Sequence, residues 1–589
     1  MTALGEFIRP HGGLAWPGAR WLADRIWRVE HAFERAKAEG RPADDVRIRM
    51  VFILAVFIAG FVALGYGATK TAIFPQGGRS GHISSMPPGS RADLVDRNGQ
   101  LLAIDLPNYS LYLDRSLIWD QEETRQRLGA FLNATGRRRL EMALRSDKRT
   151  KIVGPLSAEQ KAVIDDLGLP GVSFETVARR EYPLGATAAH LLGYSGADEN
   201  SLSGAERALN DEIVRNAGGD PVMLALDLRV QAALEDELRR SMTDTEASGA
   251  VGIVTNVRTG EILALASLPD AAPDKLAGSP AETNRAWQSV YEMGSTFKIF
   301  SMALGLDSGT VNMNTRFDVS TPLMLPGKPI NDFHGTNGSL SLAEVFTHSS
   351  NIGTGKLALH VGRETLTKYF REFGLFEAAP TSLSGSARPL LPDKPERWND
   401  REVATTSFGH AIAVSPLTMA TAVGSVVNGG TYIPLSLTKR DIPPKGRRVI
   451  SEATSRQMLE LMRLNAVTGT GRRTEAAAPG YRVGGKTGTA DKVREGGGYG
   501  GAGVVASFAA AFPTDGPLTG DRFLVFILVD HPKATAASPG QPGGASVAAP
   551  VAGRVINRIA PFVGVTRVAT APVPLSAVPI QNQTEALEH

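Results

Sequence analysis

Hydrophobic positions along this chain change character several times, and each change predicts an element. From Met50 to Thr69 the run MVFILAVFIAGFVALGYGAT carries no charged residue. At ~1.5 Å per residue, a helix of that length crosses the roughly 30 Å hydrocarbon core of a bilayer. The run is apolar on all sides and flanked by Arg47, Arg49 and Lys70, which predicts a single transmembrane helix. A long tail precedes it and no A-x-A site closes it, so a cleaved signal peptide is not expected. In that tail Leu22, Ile26, Val29 and Phe33 recur at helical spacing beside Trp21 and Trp27, predicting an interfacial helix or, alternatively, a docking helix for a cytoplasmic partner.

Residues 75–90 are rich in Pro, Gly and Ser and read as a linker, followed by mixed short strands and helices to about Leu224. PVMLALDLRVQAALEDELRRSM then predicts a short strand leading through Asp227 into an amphipathic helix. AVGIVTNVRTGEILALASLP predicts a hairpin turning at Arg258-Thr259-Gly260, and VVASFAAAFP and FLVFILVD predict two further strands. Helical stretches, STFKIFSMALGLD and SLAEVFTHSSNIGTGKLALHV among them, separate the two strand groups. The fold class expected is mixed α+β, an antiparallel sheet covered by helices. The Pro- and Ala-rich tail after Pro561 is expected to be poorly ordered.

Charge fixes orientation. Arg28, Arg35, Lys37, Arg41, Arg47 and Arg49 precede the apolar run, whereas Lys70 and Arg79 follow it, so the N-terminus is expected in the cytoplasm and the rest outside. With 63 basic against 60 acidic residues there is no basic excess to suggest nucleic-acid binding. Cysteine is absent, which excludes disulfides and thiolate metal sites, and the ten histidines form no HExxH pair. Neither a catalytic metal nor a cofactor is expected.

Three short patterns carry candidate chemistry. Ser295 and Lys298, in Gly294-Ser295-Thr296-Phe297-Lys298, share a helix face, where an amine of depressed pKa serves as base to a serine nucleophile. A helix start also aims the Ser295 N–H at a developing oxyanion. Alone the pattern is weak, since Ser436–Lys439 repeats it in a strand or loop. In Ser349-Ser350-Asn351 a hydroxyl suits proton relay and an amide suits a peptide bond. Taken singly, the tripeptide reads as a polar helix junction. Lys486, Thr487, Gly488 and Thr489 combine an ammonium, two hydroxyls and small residues on an edge strand, a site for a terminal carboxylate and an approaching backbone. Gly496, Gly498 and Gly501 match a dinucleotide fingerprint but lack its strand–helix context, and His348 is not expected to be the base.

In that order, S-x-x-K, S-x-N and K-T-G resemble the set of the serine β-lactamase and penicillin-binding superfamily. GSRADLVDRNGQLLA, RREYPLGATAAHLLGYSG and SGAERALND are similar to the N-terminal module of class B penicillin-binding proteins. YEMGSTFK, SFGHAIAVSPLTMATAVGSVVNGG and VGGKTGTA resemble their transpeptidase module, with Met293 and His410 as departures taken to lie away from the reacting groups. The resemblance implies a cytoplasmic tail at 1–49, transmembrane helix 50–69, linker 70–90, pedestal module 91–222, transpeptidase domain 223–562 and tail 563–589. It implies a septal D,D-transpeptidase of the inner membrane, catalytic part periplasmic, acting on D-Ala-D-Ala stem peptides and acylated by β-lactams. Ser295, Lys298 and Ser349 would then be catalytic, with Asn351, Lys486, Thr487, Gly488 and Thr489 binding substrate. A membrane-embedded glycan polymerase and other division proteins are the implied partners. An elongation-type relative and a non-catalytic division scaffold are the alternatives.

Overall fold

The computed structural model describes residues 90–195, 203–333, 335, 338–493 and 499–568, with scattered helical positions between 21 and 64. The chain divides into Met1–Met86 and a compact unit, Pro87–His589. In the first unit residues 53–62 are helical, and Phe57 and Phe61 are among its exposed apolar side chains. Among the described residues no helix is long and apolar enough to cross a membrane. Positions 51, 52, 63 and 65–69 of the expected span lie outside the described residues, as do Leu22, Ile26, Val29, Phe33, the linker at 70–89 and the tail at 569–589.

The second unit begins with a five-stranded sheet. β1 (Leu94–Val95) turns into β2 (Leu101–Leu113), which pairs antiparallel with β3 (Thr150–Leu156) and β4 (Val172–Glu181). β5 (Val222–Met223) runs parallel to β1. The strand expected to open the second half of the molecule is thus hydrogen-bonded into the first. Helices Gln121–Gly129 and Ala134–Leu144 bury Leu128, Leu140 and Leu144 against Leu111, Leu113 and Ile152. Nearby, Glu206, fully buried, accepts from Arg91 Nη2 at 2.8 Å and Arg180 Nε at 2.7 Å, and Arg180 also reaches Asp105. One carboxylate therefore ties together the three sequence stretches that resemble a class B N-terminal module.

Asp227 accepts from the N–H of Arg229 at 3.0 Å and caps α1 (Leu228–Thr245), as its position before the amphipathic pattern predicts. β6 (Gly249–Asn256) and β7 (Ile262–Leu268) form the expected hairpin, turning at Gly260 with φ +74°. The helical insertion follows, including α2 (Lys298–Asp307), α3 (Leu342–Thr347), α4 (Asn351–Val361), α5 (Pro416–Val427) and α6 (Glu452–Thr468). β8 (Gly484–Val493), β9 (Tyr499–Phe512) and β10 (Phe523–Asp530) complete an antiparallel sheet of order β8-β9-β10-β6-β7, and α7 (Ala549–Ile559) returns across it.

Both faces of this sheet are covered, which explains why its strands read as unbroken apolar runs. Along β10, Phe523, Val525, Ile527 and Val529 pack with Leu234 of α1 and Val555 of α7. Leu524, Phe526 and Leu528 point the other way, into the core containing Phe300 of α2 and Leu417 of α5. The period-2 alternation separates two cores rather than core from water. Each such side chain contributes about 1.5–3 kcal/mol on burial. One edge of the resulting slab is β8.

Candidate active site

The S-x-x-K stretch begins as a 3-10 turn, Gly294–Phe297, and continues into α2. Gly294 has φ +52°, and a Cβ there would lie 2.5 Å from Thr489 O. On its other side, Gly294 N–H donates to Gly409 O at 3.2 Å, and a Cβ on Gly409 would meet Gly294 O at 2.2 Å. The Ser295 turn is thus wedged, backbone to backbone, between β8 and the 409–411 loop. Ser295 is half-buried, while Lys298 is fully buried.

Lys298 Nζ donates to Ser349 O, to Ser349 Oγ at 3.2 Å and to Asn351 Oδ1 at 2.8 Å. Ser295 and Lys298 share the helix start as their spacing predicts, but among the described residues the amine's hydrogen bonds go to the Ser349–Asn351 turn. A buried ammonium has three donors to satisfy, and that turn supplies three acceptors. Deprotonation frees a lone pair for a serine proton. Burial first and the neighbouring Lys486 second push Lys298 well below the ordinary lysine range, with the Asp332 carboxylate acting in opposition.

Ser349 joins two helices through a strained backbone. Ser349 N–H donates to Phe346 O at 3.3 Å and Ser350 N–H to Val345 O at 3.0 Å, closing α3 with the paired bonds of a Schellman ending. That ending needs a left-handed residue, usually glycine, and Ser349 takes φ +62°. A non-glycine residue held so costs about 1–3 kcal/mol and marks a place where the side chain is needed. Its Oγ lies between two amines, 3.2 Å from Lys298 Nζ and 2.9 Å from Lys486 Nζ. Burial lowers Lys486 to about 7. A hydroxyl bridging two depressed lysines is equipped to pass a proton in either direction.

On edge strand β8 a residue's N–H and C=O point to the same side. Gly485 O accepts from Asn465 Nδ2 at 2.8 Å and Thr489 O faces Gly294, so residues 485, 487 and 489 turn their backbone groups away from the sheet. The Thr489 N–H therefore faces outward on the same side as the Ser295 turn. A Cβ on Gly488 would lie 2.3 Å from Met293 O and 2.5 Å from Ser507 Oγ, which requires glycine there. Thr487 Oγ1 and Thr470 Oγ1 are 2.7 Å apart, and Thr489 Oγ1 accepts from Gly544 N at 2.9 Å.

The structure brings Lys298, Ser349, Asn351 and Lys486 into one hydrogen-bonded cluster, with Gly488 and Thr489 packed against the turn that carries Ser295. Asp332, Asn465 and Thr470 were not singled out from the sequence; they act on the motifs through contacts made only in the fold. At His410, burial first and the charge of Lys298 second hold the imidazole below its usual range. Met293 places its backbone carbonyl against Gly488. His348 is exposed with Nδ1 3.0 Å from Glu344 O, outside the cluster, and Ser436 pairs by a β-bridge with Glu261.

The family profile described as penicillin binding protein transpeptidase domain matches residues 250–557, and that of the penicillin-binding protein dimerisation domain matches residues 87–215. The class is that of penicillin-binding transpeptidases. The probable peptidoglycan D,D-transpeptidase FtsI of Caulobacter vibrioides (strain NA1000 / CB15N) is 49% identical over 567 residues, covering 94% of this chain and 95% of its own. The peptidoglycan D,D-transpeptidase FtsI of Escherichia coli (strain K12) is 30% identical, with 80% and 83% covered. The transpeptidase domain of Burkholderia pseudomallei penicillin-binding protein 3 superposes with TM-score 0.52 at 30% identity, covering 59% of this chain and 98% of that one. This chain belongs to the FtsI family of class B penicillin-binding proteins, the septal peptidoglycan D,D-transpeptidases.

Proposed function

We propose that this protein cross-links peptidoglycan stem peptides at the division septum as a serine-type D,D-transpeptidase. Its reaction begins when Ser295 Oγ attacks the carbonyl of the penultimate D-Ala while neutral Lys298 takes the hydroxyl proton. The N–H groups of Ser295 and Thr489 stabilise the oxyanion, each donor worth ~10²–10³ in rate. Collapse breaks the D-Ala–D-Ala bond, and Ser349, recharged from the lysines it bridges, protonates the departing amine. An amine of a second stem then attacks the acyl-serine, losing its proton by the same relay and returning Ser295 to its hydroxyl form. Lys486, Thr487 and Thr489 receive the terminal carboxylate, Asn351 orients the donor stem, and Gly488 admits the close approach. β-Lactams acylate Ser295 because they mimic the same peptide end. The observation that carries this reading is the meeting of Lys298, Ser349, Asn351 and Lys486, from three distant stretches of chain, in one hydrogen-bonded cluster.

The same reading divides the chain into a cytoplasmic tail (1–49), a membrane anchor (50–69), a linker (70–90), a pedestal (91–222), a transpeptidase domain (223–562) and a tail (563–589). The exposed apolar side chains of residues 53–62 and the basic flank before them support an anchor in the inner membrane with the catalytic part in the periplasm. A membrane-embedded glycan polymerase and other division proteins are the partners this reading implies, and Ala59 and Gly60 supply small residues for helix packing there.

Ser295→Ala in the full-length protein tests the proposal in cells. Loss of penicillin labelling together with filamentation is the expected result. Normal division would leave a scaffold, and rounded cells would point to lateral wall synthesis.

A further inference from the structure

Asp332 belongs to none of the three motifs and lies 17 residues before Ser349 in sequence. Its Oδ1 accepts from the N–H of Asn351 at 2.5 Å and of Ile352 at 2.9 Å, and its Oδ2 accepts from Ser350 Oγ at 2.7 Å. Those two N–H groups are the first of α4 and have no partner within the helix, and a carboxylate is favoured at that end. With its hydroxyl hydrogen directed at Asp332, Ser350 Oγ accepts from Gly353 N–H at 2.9 Å. One carboxylate thereby fixes the two residues that follow the strained Ser349 and aims the Asn351 amide, whose Oδ1 holds Lys298.

We propose that Asp332 is a positioning residue of the transpeptidase, locking the Ser349–Asn351 turn against Lys298 and setting a negative charge opposite that amine. The proposal rests on the reading of Lys298 as the base. The charged and titratable groups facing Lys298 are Lys486 from β8, Asp332 from the loop before α3 and His410 from the loop before α5. Two of these disfavour the ammonium when protonated; the carboxylate favours it. Removing its charge makes neutral amine available at lower pH.

The test is acylation of full-length protein by a fluorescent penicillin across pH. Asp332→Asn is expected to lower the plateau rate roughly tenfold to a hundredfold through misplacement of the turn. Its acid limb is expected to move down by about one pH unit. Asp332→Glu keeps the charge but not the geometry, so its limb stays at the wild-type position while its plateau falls. A wild-type plateau in either variant, or an unmoved limb in Asp332→Asn, overturns the proposal; if Asp332→Asn does not fold, Asp332→Glu decides alone. Ser295→Ala in the same assay separates the two claims. Labelling that persists there refutes the nucleophile assignment, whereas labelling that vanishes there leaves the Asp332 result to be judged by itself.

Discussion

Ser349 shows how a single residue divides its role between stability and chemistry. Its left-handed backbone favours glycine, while its hydroxyl bridges two amines. Ser349→Gly is therefore expected to fold with a Tm no lower than wild type, yet to lose most of its penicillin acylation rate; thermal melting and labelling kinetics check this together. Lys486 carries a similar conflict. Its value in the folded chain, about 7, lies below the unfolded 10.5, so the unfolded chain binds more protons between those values and stability rises with pH across that window. Lys486→Met removes the penalty and is expected to raise Tm, most below pH 7 and least near pH 10, while acylation is lost. A lower Tm at pH 6 contradicts this. The placing of Ser295 and Lys298 at one helix start lies in a short contiguous pattern and was legible in the sequence. Asp332, Asn465 and Thr470 were not, because each acts through a partner many positions away and no local spacing encodes that contact.

At the scale of elements, the continuous apolar runs of β6, β7, β9 and β10 announced strands because they are β-rich, short and bounded by turns. That both faces of the sheet are covered needed the structure, since periodicity does not distinguish two cores from one. The pairing of β5 with β1 was also hidden, its two residues being too few to carry a pattern. The close fit of β8 to the Ser295 turn depends on Gly488, which is flanked by Met293 O and Ser507 Oγ. Gly488→Ala would force these elements apart. It is expected to reduce acylation at least as much as it reduces stability, and the comparison of labelling rate with Tm reads this directly.

Across the whole molecule, the buried ion network around Glu206 holds the first sheet together, and the β5–β1 pairing joins that sheet to the entry of the catalytic part. Glu206→Ala leaves two arginines without their shared carboxylate, one of them almost fully buried. Breaking a buried pair from one side costs about 3–5 kcal/mol, so a marked fall in Tm is expected with the pH dependence of acylation unmoved. A shift in that pH dependence would mean the network reaches the site. On the proposed mechanism, Ser295 transfers an acyl group to a second stem rather than to water. Mass spectrometry of the products formed by full-length protein on glycan strands bearing D-Ala-D-Ala stems tests it most directly. Cross-linked dimers with one D-Ala released per link are expected, and neither from Ser295→Ala; D-Ala release without cross-links would contradict acyl transfer to a second stem.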